Sequence, residues 1–513
     1  MALLSPIKFP WNAEAVRDEK RDPNAKESYF KSLAKALNKS HNDIRNIINK
    51  NAQYNIADRV YYPDSSAADQ GIVGNGRTVK AYIDTIGSSR ATIVFWHTKI
   101  TAGTTYMFLT SLSIPANIRI IREEGAYLSI ANGKTLTFNN NLFESPLSQA
   151  FVLIGTGAVI GLSVAYPEWF NFSTSASAAN NAAYMAAALA ASAVVQIGTA
   201  GTYNCNPFTI STLQTTLKGL GHCGGGVIFK YAGVSSFITV NANRCRIEDL
   251  YFEGPGAADG NGDIGIDVQN AKWKCVFRGL FIFNFDTSIK DDGYDNVIKE
   301  TQIYNFGAIG VDLAGGANAE LDDVTISDAA ASGICVKVTG TLTHLLCKKV
   351  IFGSSNQGIK VTGALSLLTC LECHWEGVTN EEIYHNQALG KVNIIGGKMN
   401  GNLRAGTSAP NSTNFTLMGV YAASPSIAND MYSKWIFINC WNIGGADVGG
   451  TAIELDKLDL DENGNLLLPG TIKLLERAAA IADTPGYGQV WIKNTTPCEL
   501  WFTDDAGTDT KIV

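Results

Sequence analysis

From residue 241 onward one spacing of apolar positions recurs: an apolar residue, two free positions, an apolar residue, one free position, an apolar residue. It is carried by Ile247-Glu-Asp-Leu-Tyr-Phe252, Phe277-Arg-Gly-Leu-Phe-Ile282, Ile298-Lys-Glu-Thr-Gln-Ile303, Leu321-Asp-Asp-Val-Thr-Ile326, Cys347-Lys-Lys-Val-Ile-Phe352 and Cys370-Leu-Glu-Cys-His-Trp375. Weaker copies start at Ile394, Leu417 and Phe437, and successive starts lie 30, 21, 23, 26, 23, 24, 23 and 20 residues apart. A nearly fixed period of this size marks a solenoid, whose coils bury an apolar face only by stacking on one another. A second segment follows in several coils, as Ile264-Gly-Ile-Asp-Val268, Ile309-Gly-Val-Asp-Leu313, Gly333-Ile-Cys-Val-Lys-Val338 and Gly358-Ile-Lys-Val361. Its period of two predicts a strand with one inward and one outward side. The pattern predicts a mainly β chain with a right-handed parallel β-helix over residues 171–445.

Turn positions just after the first strand read Asn284, Asn305, Asp328 and Ser354, side chains suited to hydrogen-bond from coil to coil. The flanks differ. In residues 23–51, Phe30, Leu33, Leu37, Ile44 and Ile47 fall at steps of three and four, so residues 1–57 are expected to hold a helix with a short heptad seam that needs a partner. Residues 58–170 break into short apolar runs such as Ile93-Val-Phe-Trp96 and Thr135-Leu-Thr-Phe138, bounded by turn residues, and predict a small all-β domain. An alanine-rich helix over 178–191 suits a cap on the open end of the solenoid. Residues 446–513 again read as short strands, a small C-terminal β domain whose expected solution is trimeric association.

The net charge is −7 with no basic stripe, which argues against a nucleic-acid binder. The first residues lack the pattern of a secretory signal, and no apolar run reaches the ~18–20 residues of a membrane span, so no membrane insertion is expected. Ten cysteines in 513 residues do not make a disulfide scaffold. Cys370 and Cys373 are three apart because the repeat places inward residues at that step, so the reading is buried thiols without a metal. The glycine-bearing acidic loops Asp259-Gly-Asn-Gly-Asp263 and Asp291-Asp-Gly-Tyr-Asp295 lack a full calcium ligand set and read as turns. No cofactor is expected.

Four stretches, in order, make the chain resemble tail fibres and tailspikes of tailed bacteriophages that carry a pectate-lyase-like β-helix. They are Tyr166-Pro-Glu-Trp-Phe170, the alanine-rich helix leading to Val194-Val-Gln-Ile197 and Gly201-Thr-Tyr203, Thr216-Leu-Lys-Gly-Leu-Gly221 before Gly224-Gly-Gly-Val-Ile228, and Gly486-Tyr-Gly-Gln-Val-Trp-Ile-Lys493 with Glu499-Leu-Trp-Phe-Thr503. The resemblance covers residues 61–513. It implies a homotrimer in the virion tail, assembled in the host cytoplasm, that meets a host surface glycan. Residues 1–60 match none of these motifs and occupy the place where such proteins attach to tail or baseplate proteins. Two other readings stay open, a non-catalytic structural virion or baseplate component and a free bacterial polysaccharide lyase or hydrolase.

Relatives that cleave glycan use carboxylates on the outer face or between subunits, and hydrolysis needs an acid and a base ~5 to ~9.5 Å apart. Two residues after each start the column reads Asp249, Gly279, Glu300, Asp323, Lys349, Glu372. Adjacent coils are ~4.8 Å apart, so Glu300 and Asp323, with Asp322 beside them, are the candidate catalytic carboxylates. The competing reading is a solvated charge ladder. Four residues after each start come Tyr251, Phe281, Gln302, Thr325, Ile351, His374, Lys398, Tyr421 and Trp441. Of these Tyr251, Phe281, Gln302, His374, Tyr421 and Trp441 suit sugar rings, and equally suit a contact between subunits. His374, between Glu372 and Glu376, is either a base or a polar neighbour.

Overall fold

The inward positions of the repeat stay dry only if each coil lies directly on the next, and coil-to-coil backbone hydrogen bonds enforce this. The computed structural model describes residues 59–97, 103–221, 226–256, 262–385 and 390–400. Beyond these it describes 402–405, 414–422, 427–428, 434–438, 440, 452–454, 459–460, 466–467, 476–477, 489–493, 499–503 and 508–512. The heptad seam expected in residues 23–51 lies outside the described residues. The chain divides, within the helix Ala178–Ala191, into two compact units: residues 1–173 with 184–196, and residues 174–183 with 197–513. No helix among the described residues is long and apolar enough to cross a membrane.

The repeat in the second unit forms a parallel β-solenoid. Its starting residues make one column, Leu217, Ile247, Phe277, Ile298, Leu321, Cys347, Cys370, Ile394 and Leu417, aligned partner to partner. All are buried. Phe252, Ile282, Ile303, Ile326, Phe352 and Trp375 make a second buried column, in which Phe352 and Trp375 stack at 5.2 Å. Leu250, Leu280, Val324, Val350 and Cys373 fill the space between.

Between these columns the chain must bend, and it does so at one residue per coil. Asp249, Gly279, Glu300, Asp323, Lys349 and Glu372 all adopt a left-handed conformation, with φ between 49° and 61°. That conformation costs a residue with a side chain roughly 1–2 kcal/mol. The stack retains it because the bend amides still donate to the next coil: Asp249 to the Arg278 carbonyl, Lys349 to Leu371 and Glu372 to Ile395, at 2.8–3.0 Å. A second left-handed position follows the strand at Asn284, Asn305 and Asp328. There Asn305 Nδ2 donates to Asn284 Oδ1, as expected of a side-chain ladder. At Asp328 the ladder changes, because its carboxylate accepts from Ser327 Oγ at 3.2 Å.

The following strands depart from simple alternation. In Ile264–Val268, Thr287–Asp291, Ile309–Leu313 and Ile334–Val338 the second and third residues are both buried. Pairing passes from Ile264↔Thr287 directly to Ile266↔Ile289, so Gly265 and Ser288 are an extra step in each strand. A Cβ added at Gly310, the equivalent residue, would meet Ile326 Cγ2 at 2.5 Å. This position therefore faces the interior, and a small residue is required where it meets Ile326.

The first unit uses the same device. Its strands pair in parallel throughout, stacking Ile93, Ile120 and Phe143 in one column, Tyr106, Leu128 and Phe151 in a second, and Leu112, Leu136 and Val159 in a third. The Tyr166–Phe170 motif forms a 3-10 turn, Pro167–Phe170. It sets Trp169 edge-on to Phe143 at 4.8 Å and Phe170 against Phe151 at 5.2 Å. Near the C-terminus, Gln489–Lys493, Glu499–Thr503 and Asp509–Lys511 pair antiparallel.

Ile326 is fully buried while its neighbour Thr325 is half-exposed. Ile326→Asp is expected to prevent folding, since an unpaired buried carboxylate costs several kcal/mol, and Thr325→Asp to fold normally. Circular dichroism and melting of the two variants check this, and equal tolerance would contradict the inward assignment.

Candidate functional site

Outward side chains of a parallel solenoid inherit the order of the ladder, so the surface is a set of columns. Tyr251, Phe281, Gln302, Thr325, Ile351, His374, Lys398 and Tyr421 are consecutive partners in one such column. Seven coil spacings make it about 34 Å long. At its lower end the rings form a cluster: Tyr251 is edge-on to Phe281 at 4.8 Å, and Phe281 lies 5.5 Å from Tyr304 in the adjacent outward column. These rings are half-exposed, and partial burial raises the Tyr251 phenol above its usual value. Gln302 follows directly above Phe281. His374 is exposed and flanked by Ile351 and Lys398. Trp441 lies outside the described residues.

The carboxylates Glu300 and Asp323 occupy the left-handed bend on adjacent coils, and both are exposed. Glu300 and Asp322 each meet a cation, diagonal to its column or within it. Arg278 Nε donates to Glu300 Oε2 at 2.8 Å, and Lys348 Nζ lies 3.4 Å from Asp322 Oδ1. Asp322 is itself in register with Lys299 below and Lys348 above. A general acid needs burial or an uncompensated negative neighbour to hold its proton. None of the three is buried, and Glu300 and Asp322 sit in surface ion pairs.

A second polar face, which the sequence reading passed over, lies on the following strands. Asp267, Lys290, Asp312, Lys337, Lys360, Tyr384 and Arg404 are successive partners. Its lower half is internally compensated. Ser236 Oγ donates to Asp267 Oδ2 at 2.8 Å, Lys290 Nζ lies 3.9 Å from Asp267 and 3.0 Å from Asp292, and Thr339 Oγ1 donates to Asp312 Oδ1 at 3.0 Å. Desolvation raises the Asp312 carboxyl above its usual value. Higher up, Gln357 Nε2 donates to Glu381 Oε2 at 2.6 Å, and Arg404 Nη1 to Glu381 Oε1 at 3.0 Å. Reading one residue per repeat at the penultimate position of Ile-Gly-Ile-Asp-Val and its copies would have revealed this column.

Other titratable groups are structural. Cys370 and Cys373 are buried, and burial pushes the Cys370 thiol well up. No group of three metal-binding side chains occurs among the described residues. Asp291 Oδ1 accepts from Gly293 N and Asn296 Nδ2, both at 2.8 Å, as a turn. The 259–263 loop is described only from Gly262 onward.

No protein-family model matches the chain, and no curated protein matches it. Among solved structures its fold is similar to the enzymatically active domain of bacteriophage CBA120 tailspike protein 2, at 11% identity and a TM-score of 0.35, covering 53% of this chain and 43% of that one. The chain thus spans less than half of that protein. It is also similar to the tailspike protein of E. coli bacteriophage HK620 in complex with a pentasaccharide, at 10% identity and a TM-score of 0.31, covering 76% and 75%. A third is PfbA, a surface adhesin of Streptococcus pneumoniae, at 11% identity and a TM-score of 0.22, covering 89% and 100%. At this identity no residue role is carried over from any of them.

His385 is fully buried, and desolvation lowers its pKa from 6.5 to about 4. The unfolded chain therefore binds a proton there that the folded chain refuses. Stability is full above pH ~6.5 and falls as the pH drops toward 4, by up to about 3 kcal/mol. Urea unfolding across that window should show the loss, and His385→Phe should flatten the slope.

Proposed function

We propose that the chain is the subunit of a homotrimeric bacteriophage tail fibre or tailspike, a virion protein that recognises host surface polysaccharide with its solenoid. The observation that carries the reading is the half-exposed ring cluster of Tyr251, Phe281 and Tyr304 beside Gln302. Sugar rings stack their CH faces on such rings and hydrogen-bond to flanking amides. The ordered tail-protein motifs of the sequence support the same reading. Residues 1–57 serve as the attachment to tail or baseplate proteins.

The upper part of the same face has a different role. One column over, the outward residues change from Glu248, Arg278, Lys299, Asp322 and Lys348 to Leu371, Ile395 and Met418. Ile395 and Met418 are 39% and 40% exposed, and Tyr421 nearby is 47% exposed. A contiguous exposed apolar patch marks an interaction surface, and sister subunits cover it. Glycan is thus held low on the face and the trimer is closed high on it. Recognition rather than turnover is the favoured activity, because none of Glu300, Asp322 and Asp323 is buried and Glu300 and Asp322 each pair with a cation.

Light scattering of the full chain is expected to give a trimer of 54.9 kDa subunits, and Ile395→Asp with Met418→Asp to weaken it. A monomer mass for the wild type would overturn the assembly. Tyr251→Ala with Phe281→Ala should lower affinity for host-cell polysaccharide about tenfold or more, while Glu300→Gln and Asp323→Asn leave it unchanged. Purified protein that depolymerises the glycan, and loses ~100-fold of that activity in Glu300→Gln, would restore the catalytic assignment.

A further inference from the structure

The polar column on the second strands changes character partway up. Below, Lys290 is clamped between Asp267 and Asp292, and Asp312 is held by Thr339. Above, among the described residues, neither Lys337 nor Lys360 has a carboxylate within 4.0 Å. Both are half-buried and point outward, since Val336, Val338, Ile359 and Val361 on either side of them are fully buried. Lys360 and Arg404 lie over the ring of Tyr384, at 5.9 Å and 5.6 Å from its centroid. The ring, on the coil between them, holds the two cations in place. Arg404 spends Nη1 on Glu381, and its other N–H groups have no acceptor among the described residues.

We infer that Lys337, Lys360, Tyr384 and Arg404 form a binding site for a linear acidic polysaccharide running along the solenoid axis, its carboxylates taken by cations at the spacing of the coils. The site is on a different face from the Tyr251 cluster and does not rest on that assignment. Three features favour an anion here. Two lysines with no carboxylate within 4.0 Å among the described residues stand at neighbouring ladder positions ~4.8 Å apart. A guanidinium is oriented by a buried glutamate with donors to spare. The same column supplies its own contrast, since Lys290 is paired with Asp267 and Asp292 while Lys337 and Lys360 have no carboxylate within 4.0 Å among the described residues. The charges opposing the site are Asp312, one coil below Lys337, and Glu381 on Arg404. With three cations against these two carboxylates, the site favours a polymer with spaced charges over a single small anion. At the adjacent positions Gln357 and Glu381 are buried and hydrogen-bonded to each other, so they brace the guanidinium and leave the sugar to the cations and the Tyr384 ring.

The test is titration of the full chain with oligogalacturonate, neutral dextran, inorganic phosphate and duplex DNA at low and high salt. Oligogalacturonate is expected to bind, to weaken as salt rises, and to lose about tenfold or more in affinity in Lys337→Ala with Lys360→Ala. Dextran and phosphate should not bind measurably. Melting temperature serves as the folding control, and Tyr251→Ala should leave this binding intact, separating it from the aromatic site. Absence of oligogalacturonate binding, or full affinity in the double lysine variant, would overturn the proposal. Equal or tighter binding of DNA would overturn the glycan in favour of indiscriminate polyanion attraction.

Discussion

The structure depends on the backbone ladder that ties each coil to the next in parallel. Every amide and carbonyl in the short strands must find its partner one coil away, because none is available within the coil. That requirement fixes the alignment of residues such as Ile247, Phe277 and Ile298. With alignment fixed, the apolar positions stack into columns and the interior fills with like against like. The left-handed bend is a by-product: Glu300 and Lys349 tolerate an unfavourable φ because the ladder determines where the chain must turn. In isolation such residues prefer other conformations.

The same alignment decides what the surface can do. An outward residue has its electrostatic partners chosen by the ladder, so charge compensation is a property of columns and diagonals. Glu300 shows this, since Arg278 reaches it from the neighbouring column of the coil below. Asp322 shows it again, placed between Lys299 and Lys348. Along the second strands the compensation lapses above Asp312, at Lys337 and Lys360, and beside the first it gives way to Ile395 and Met418. Changes of character along a column, more than any single residue, separate scaffold from recognition surface.

Much of this was legible in the sequence. The inward positions were, because every coil faces the same demand for an apolar residue, and the strand pairing aligns the starts from Ile247 to Leu417 in order. The outward aromatic column was legible for the same reason, being counted from the same starts. The chemistry of Glu300 and Asp322 was not, since Arg278 and Lys348 are 22 and 26 residues away and meet them diagonally or one coil over. The column from Asp267 to Arg404 was hidden by an extra inward residue, Gly265 and its equivalents, which breaks the simple alternation. In residues 91–160 the strands were visible but their parallel stacking was not, because no apolar spacing there repeats as strictly as in the second unit.

The long interval between Ile247 and Phe277 bears on how such a surface can diversify. Gly254 and Gly256 donate to the Phe283 and Asn284 carbonyls on one side of the added length, and Ile264 donates to the Ser235 carbonyl on the other, so the columns on both sides keep their alignment. Doubling a flexible loop costs only about 0.6 kcal/mol in closure entropy. One residue added inside a strand would turn every inward side chain after it to the solvent. Inheritance therefore meets two very different tolerances in one coil. Such a surface can drift by lengthening and rewriting the segments between strands, generation after generation, while the stacked interior is held almost unchanged.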